Sequence, residues 1–181
     1  MSKLETNTID TVSGTTNLTI GSTNSSTVTF ESGSATGHMS PAFHAFLNSS
    51  QSTSHSTFTT LICNSEIFDS NSAYDVSNGR FTPQKAGKYF VYANIHWESM
   101  ETGTTVELEI RKNGSRSGET NLIRRNSRAG DQSIFSSIII DMNGSSDFLT
   151  LGGLQNSGFT KNAEGGTGFQ ATYFGAYRIG A

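Results

Sequence analysis

Short runs in which apolar and polar residues alternate, separated by tight-turn signals, are the feature that most restricts the fold of this chain. Such runs occur between residues 42 and 179, and three Asn-Gly dipeptides (78–79, 113–114 and 143–144) stand at the ends of runs. Alternation with period two is typical of β-strands, and Asn-Gly accepts the positive φ angles of a type I′ hairpin turn. No stretch has a convincing helical period. We therefore predict an all-β protein.

Eight strands are predicted after residue 40. They lie at 42–46, 58–63, 80–82, 87–97, 105–111, 133–140, 148–151 and 168–179. Short strands with regular turns predict a two-sheet sandwich or jelly roll. In the run 105–111, the apolar residues face one way and Glu107 and Glu109 face the other, so this strand is predicted to have one solvent-exposed face.

Two of the predicted strands carry bulky residues on both faces. They are 89–95, with the sequence Tyr-Phe-Val-Tyr-Ala-Asn-Ile, and 171–177 near the end of the chain. A strand in a two-layer sandwich buries only one face in its own core, so a second apolar face needs another covering surface. We therefore predict an interface between identical subunits, with Tyr173 and Tyr177 as its candidate residues.

Residues 1–40 differ in composition from the rest and are predicted to form a separate polar arm. Ser, Thr, Asn and Gly dominate, and the apolar residues occur in short alternating groups, Leu18-Thr-Ile20 and Val28-Thr-Phe30. Strands so short bury too little surface to offset the entropy of ordering the chain. The arm is therefore predicted to order by attachment or oligomerisation; a disordered tail is the alternative. The globular domain is predicted to span 41–181.

Composition and charge exclude several classes of protein. Cys63 is the single cysteine, which rules out a disulfide framework and a Cys-rich zinc site. With a formal net charge of −3, the chain lacks the excess of basic residues that is typical of nucleic-acid-binding proteins. The sequence contains no run of about 18 apolar residues, so a membrane-spanning helix is not predicted. The first residues have no apolar segment of the secretory type, so we expect synthesis without export.

Motifs for catalysis are not found. The four histidines, His38, His44, His55 and His96, do not have the spacing of zinc-hydrolase motifs, and no nucleophile-elbow or phosphate-loop pattern occurs. We predict a non-enzymatic protein without a cofactor. The open alternative is calcium, because carboxylate and amide oxygens cluster in sequence between residues 64 and 75: Asn64, Glu66, Asp69, Asn71 and Asp75. Turn chemistry explains the same residues equally well.

A basic segment is the candidate binding surface. Six cationic residues fall within eighteen positions, with Glu119 as the one acid among them: Arg111, Lys112, Arg116, Arg124, Arg125 and Arg128. Guanidinium groups bind carboxylates and phosphates in bidentate fashion, so an anionic glycan, a lipid headgroup or an acidic protein surface is the predicted ligand. The alternative is a pair of solvated loops whose charges balance acids elsewhere.

Residues 67–92 resemble the signature of C1q-like globular domains. The matching positions are Phe68, Tyr74, Asp75, Gly79, Phe81, Gly87 and Tyr89. The opening 41–46 and the closing strand 173–179 also resemble this family, whereas 98–135 match only in strand order. Asp69 and Val91 depart from the pattern, where the family usually has Asn and an aromatic residue. No collagen-type Gly-X-Y stretch precedes the domain.

The resemblance implies a ten-stranded C1q/TNF-like jelly roll that assembles as a homotrimer through aromatic faces. It also implies a core role for the signature residues Phe68, Tyr74, Gly79, Phe81, Gly87 and Tyr89. Gly79 is expected in a tight turn, and Gly87 at a bend without space for a side chain. Phe81 and Tyr89 are expected to fill the space between the sheets.

The arm carries a second resemblance, because residues 8–21 followed by a C1q-like domain look similar to small structural proteins of marine tailed phages. This implies a virion protein, assembled in the host cytoplasm, whose residues 1–40 attach to a capsid or tail protein. The domain is then a fibre or decoration knob, with a host glycan or envelope component as a candidate ligand. A bacterial surface or spore-coat interaction module with the same domain is the alternative.

Overall fold

The computed structural model describes residues 39–116 and 121–180, and these residues form β-strands and connecting loops without a helix. The predictions for the arm therefore lie outside the described residues, except for Met39 and Ser40. Within the described residues, no helix is available to cross a membrane.

The all-β prediction is confirmed. The thirteen strands are β1 (Ala42–Phe46), β2 (Gln51–Thr53), β3 (Thr59–Thr60), β4 (Ser65–Asp69), β5 (Tyr74–Asp75), β6 (Arg80–Phe81), β7 (Ala86–Met100), β8 (Thr105–Lys112), β9 (Asn121–Asn126), β10 (Gly130–Asn143), β11 (Leu149–Gln155), β12 (Lys161–Ala163) and β13 (Tyr173–Gly180).

The strands form two antiparallel sheets. In the seven-stranded sheet the order is β2-β12-β7-β13-β1-β4, and β10 pairs with β7 along nearly its whole length. In the six-stranded sheet the order is β5-β6-β11-β8-β9, and β3 also pairs with β11. Most neighbours in these orders are distant in sequence, as in a jelly roll; β5-β6 and β8-β9 are the consecutive pairs. The long strand β7 is the scaffold of the first sheet, because it pairs with β10, β12 and β13.

The core lies between the sheets and follows the predicted alternation. Strand β7 contributes five side chains that are 0% exposed: Tyr89, Val91, Ala93, Ile95 and Trp97. Strand β8 faces them with Val106, Leu108 and Ile110, which are also fully buried. Near one end, the Phe43 ring stacks on Tyr74 and Phe81 at 4.5 Å between ring centroids. Burial of these rings supplies a large share of the apolar contact area.

The predicted type I′ geometry is found at one of the three Asn-Gly turns. At Asn113-Gly114 both residues have positive φ, 56° and 71°, and Lys112 and Ser115 bridge across the turn. At 78–79 and 143–144 only the glycine has positive φ, so the prediction is wrong there. The first of these ends a longer loop between β5 and β6. At the second, the chain leaves one sheet for the other, so a hairpin turn is not required.

The structure places five of the six signature residues as expected. Tyr74, Phe81 and Tyr89 are buried, and Gly79 closes a turn with its N–H donating to Asp75 O. Gly87 has φ of +139°, and a Cβ there would lie 2.2 Å from Gly180 O, so this position excludes a side chain.

Phe68 is not a core residue, and its prediction is wrong. Its side chain is 48% exposed. Strand β4 is the edge strand beside β1, and a register shift lies between His44 and Ala45. Phe68 pairs with His44, whose side chain points away from the core, so Phe68 also lies on the outer side.

Candidate functional site

The outer side of the seven-stranded sheet carries an unusual concentration of rings. Alternation along β7 places Phe90 and Tyr92 on the side opposite the core, and the register places Ile139 beside Phe90. Phe135 and Ile139 are 55% and 57% exposed. We call this surface the aromatic face; its members are His44, Phe68, Phe90, Tyr92, Phe135, Ile139, Tyr173 and Tyr177. It crosses β4, β1, β13, β7 and β10.

The two tyrosines predicted at an interface both lie on the aromatic face. The Tyr177 ring is 5.4 Å from that of Phe90, and the two residues are paired across β13 and β7. The Tyr173 ring is 5.5 Å from His44 and 6.3 Å from Tyr92. Neither tyrosine belongs to the core between the sheets. The prediction that these strands carry bulk on both sides is therefore confirmed.

Tyr92 lies flat across β13 because its partner in the register is a glycine. A Cβ at Gly175 would lie 2.4 Å from Tyr92 Cζ, so no larger residue fits beneath this ring. Partial burial raises the pKa of Tyr92, and the neighbouring phenols Tyr173 and Tyr177 raise it further.

His44 holds Tyr92 in place through a short hydrogen-bonded chain. Its Nε2 is 2.7 Å from Gln170 Oε1, which only accepts, so the ring proton sits on Nε2. Nδ1 is then an acceptor, and Tyr92 Oη donates to it at 2.9 Å. Phe68 packs near the other side of this histidine, with 6.4 Å between ring centroids. The centre of the aromatic face is thus organised within one protomer.

The aromatic face has the properties of an interface. It is contiguous, it lies on a regular sheet, and neighbouring rings on it contact each other within one protomer. Monomeric proteins rarely expose apolar patches of more than a few hundred Å². Strand alternation was the sequence signal for Phe90 and Tyr92. Phe135 and Ile139 were missed, although their separation of four residues on one strand places both on the same side.

The structure divides the predicted basic surface into two groups. Arg111, Arg116 and Arg124 bind the carboxylates of Glu107 and Glu109, which are 2% and 0% exposed. Arg111 Nε donates to Glu109 Oε2 at 2.5 Å, and Arg124 Nε donates to Glu107 Oε1 at 2.7 Å. Arg116 contacts both carboxylates. The prediction of a wet outer face on β8 is therefore wrong, because these guanidinium groups cover it.

The remaining three cations do not join this network. Lys112 lies 3.2 Å from Asp147 Oδ2 in an ion pair. Arg125 donates to the backbone oxygen of Ser133 at 3.1 Å. For Arg128, the described part of the chain contains no carboxylate at ion-pair distance, and its side chain is exposed. The six residues thus do not form one surface open to a ligand.

The oxygen-rich segment 64–75 uses its carboxylates in turns. Asp69 accepts hydrogen bonds from the N–H groups of Asn71 and Tyr74. Asp75 accepts from Ser77 and Asn78, and the Ser77 bonds lower the pKa of Asp75 below its usual value. Among residues 39–116 and 121–180, no group of three or more His, Cys, Asp or Glu side chains has a geometry suited to a metal ion.

The described histidines make ordinary polar contacts. His96 Nε2 lies 3.2 Å from Glu164 Oε2, and Nδ1 lies 2.7 Å from Ser133 Oγ. His55 Nδ1 accepts from the N–H of Gly158 at 2.9 Å. His38 lies outside the described residues. His96 thus lies between a hydroxyl and a carboxylate, but the hydroxyl is on Nδ1 and the carboxylate on Nε2, which is the reverse of a Ser-His-Asp triad.

Comparison with known structures agrees with the topology. Eiger TNF from S. frugiperda has a TM-score of 0.55 at 12% identity, covering 76% of this chain and 91% of that chain. The globular domain of zebrafish complement 1qA has a TM-score of 0.52 at 14% identity, covering 77% and 97%. Murine APRIL at pH 5.0 has a TM-score of 0.56 at 12% identity, covering 76% and 98%. At these identities the likeness shows a shared fold.

Comparison with curated protein sequences found no significant match. The family model of the C1q domain, in contrast, matches residues 42–167, which include twelve of the thirteen strands and the whole of β7. The jelly-roll order of the two sheets and the signature residues in their core agree with this match. The chain therefore belongs to the C1q domain family.

Proposed function

We propose that this protein is a homotrimeric, non-enzymatic display module whose subunits associate through the aromatic face. The observation that carries the proposal is that rings line the outer side of the seven-stranded sheet while the opposite side already fills the core. Domains of the C1q/TNF type are trimeric modules in many proteins and are typically binding modules. Three copies arranged around one axis can each cover the aromatic face of a neighbour.

The location of the interface can be tested with charge substitutions on exposed members of the aromatic face. Ile139 is 57% exposed in the protomer, so Ile139→Glu leaves the core intact while placing a charge in the proposed interface. Tyr177→Glu places a charge on β13, on the other side of β7 from Ile139. Phe159→Glu is the matched control, because Phe159 is 67% exposed and lies in the loop between β11 and β12.

Sedimentation velocity of the full chain at equal concentrations is the measurement. We expect Ile139→Glu and Tyr177→Glu to shift the population from trimer to monomer, because a buried unpaired carboxylate costs several kcal/mol. Phe159→Glu is expected to remain trimeric. Trimers of unchanged stability in both face variants would place the interface elsewhere.

We further propose that the arm, residues 1–40, anchors the trimer to a capsid or tail protein, so that the domain projects from a virion. The support is the resemblance of residues 8–21 to arms of phage structural proteins. The competing proposal is a bacterial surface or spore-coat module with the same domain. Affinity isolation of the tagged full chain from phage particles and from cell envelopes distinguishes them. Stoichiometric recovery of a capsid or tail protein supports the virion role, and recovery of envelope proteins alone rejects it.

A further inference from the structure

A cleft of about 430 Å³ lies on the outer side of the six-stranded sheet. This volume is within the range of about 300–1,000 Å³ that is usual for small-molecule sites. Its walls include two phenylalanine rings, two arginines, three hydroxyl side chains and the Asn78 amide. The residues used below are Phe58, Thr60, Ser77, Asn78, Arg80, Arg111, Phe148 and Thr150.

The register of the sheet brings the two arginines together. Thr150 on β11 pairs with Arg80 on β6 and with Arg111 on β8. Residues paired across adjacent strands lie on the same side of a sheet, and strands are about 4.8 Å apart. Two guanidinium-bearing residues therefore flank one threonine, although they are 31 positions apart in sequence.

Aromatic rings hold both guanidinium groups. Arg80 Cζ lies 4.3 Å from the centroid of the Phe148 ring, and Arg111 Cζ lies 3.2 Å from that of Phe58. Phe58 in turn fits against Gly152, where a Cβ would approach the ring to 2.2 Å. Stacking of this kind limits the rotamers of long side chains, so less entropy is lost when a ligand binds.

The two guanidinium groups of the cleft differ in their ion pairing. Arg111 is paired with the buried Glu109 through Nε. In the described part of the chain, Arg80 has no carboxylate at ion-pair distance. Asp75, its neighbour across β5 and β6, is held by hydrogen bonds from Ser77 and Asn78, which lower its pKa, and the Arg80 charge lowers that pKa further. The Arg80 end of the cleft therefore has a guanidinium that stacking orients and that forms no ion pair with a described carboxylate.

We propose that this cleft binds an acidic saccharide, in which one sugar carboxylate pairs with Arg80 beside Arg111. A guanidinium binds a carboxylate through two parallel hydrogen bonds. The hydroxyls of Thr60 and Thr150 provide neutral donors and acceptors for sugar hydroxyls, whereas the Ser77 hydroxyl and the Asn78 amide already donate to Asp75. The site goes beyond the assembly role proposed above and does not depend on it, because it lies on the other sheet from the aromatic face.

The test is a calorimetric titration of the full chain with glucuronate, with glucose as the neutral probe and inorganic phosphate as the bare anion. We expect glucuronate to bind saturably and glucose to show no binding. Arg80→Gln is expected to weaken glucuronate binding roughly tenfold or more, which corresponds to about 1.4 kcal/mol. Arg80→Lys keeps the charge but loses the planar fork, and its affinity is expected between those of wild type and Arg80→Gln.

Arg128→Gln is the matched control, because it removes an exposed guanidinium outside the cleft and should leave the affinity within twofold of wild type. Arg111 is left unchanged because it balances the buried Glu109. Near-ultraviolet circular dichroism checks that each variant is folded. Equal binding of glucose and glucuronate, phosphate binding as tight as that of glucuronate, or wild-type affinity in folded Arg80→Gln would each overturn the proposal.

Discussion

Glu109→Ala is the substitution that most sharply tests whether the arginine-rich segment serves the fold. The Glu109 side chain is 0% exposed and binds Arg111, whose side chain is 16% exposed, and Arg116, whose side chain is 48% exposed. Removing one partner of a buried charge pair typically costs about 3–5 kcal/mol. Since Arg116 can turn toward water, we expect the free energy of unfolding to fall by the lower end of this range, about 3 kcal/mol. For a domain of this size, that lowers Tm by about 10 °C.

Thermal unfolding followed by circular dichroism, at one fixed protein concentration, is the assay for Glu109→Ala. Concentration must be held constant because dissociation of an oligomer is linked to unfolding. Asp141→Ala is the matched control: Asp141 is paired with Lys88, and both side chains are more than half exposed (62% and 52%), so its loss should leave Tm nearly unchanged. If Glu109→Ala lowers Tm no more than the control, the buried network does not stabilise the fold, and the reasoning is refuted.

The remaining predictions concern three other positions. Gly175→Val should displace Tyr92 and reduce the trimer fraction in sedimentation velocity; an unchanged distribution would show that Tyr92 does not shape the interface. Gly87→Ala should lower Tm strongly, because its Cβ would meet Gly180 O at positive φ. Burial raises the pKa of the Cys63 thiol to about 12, so it should react with Ellman's reagent at pH 8 only after unfolding. Since the unfolded thiol ionises near 9, stability should fall as pH rises from 9 toward 12.

Sequence patterns were sufficient for the parts of the fold in which hydrophobic periodicity decides the structure. Alternation placed Val106, Leu108 and Ile110 on one side of β8, and the structure buries all three side chains completely. Strands β2 and β12 were missed because Gln51–Thr53 and Lys161–Ala163 are short and mostly polar. Such strands form because the sheet edge offers hydrogen bonds, and their own side chains carry no periodic signal.

The candidate sites show the same limit, because they depend on contacts between residues distant in sequence. Tyr173 was expected at a subunit interface from its own strand alone, and the structure places its ring on the aromatic face. The burial of Glu107 was not predictable in this way, because Arg116 and Arg124, which cover it, come from later segments. Likewise, Arg80 and Arg111 flank Thr150 only because of the register in which β6, β11 and β8 pair.

Sedimentation equilibrium of residues 41–181 tests the central claim most directly. This fragment contains every core side chain, from Phe43 to Ala176, and lacks the arm, so any association must come from the domain itself. The account predicts a mass three times that of the fragment monomer, which is smaller than the 19.4 kDa of the full chain. A monomer at concentrations of tens of micromolar would contradict it, because the aromatic face would then be stable in water without a partner.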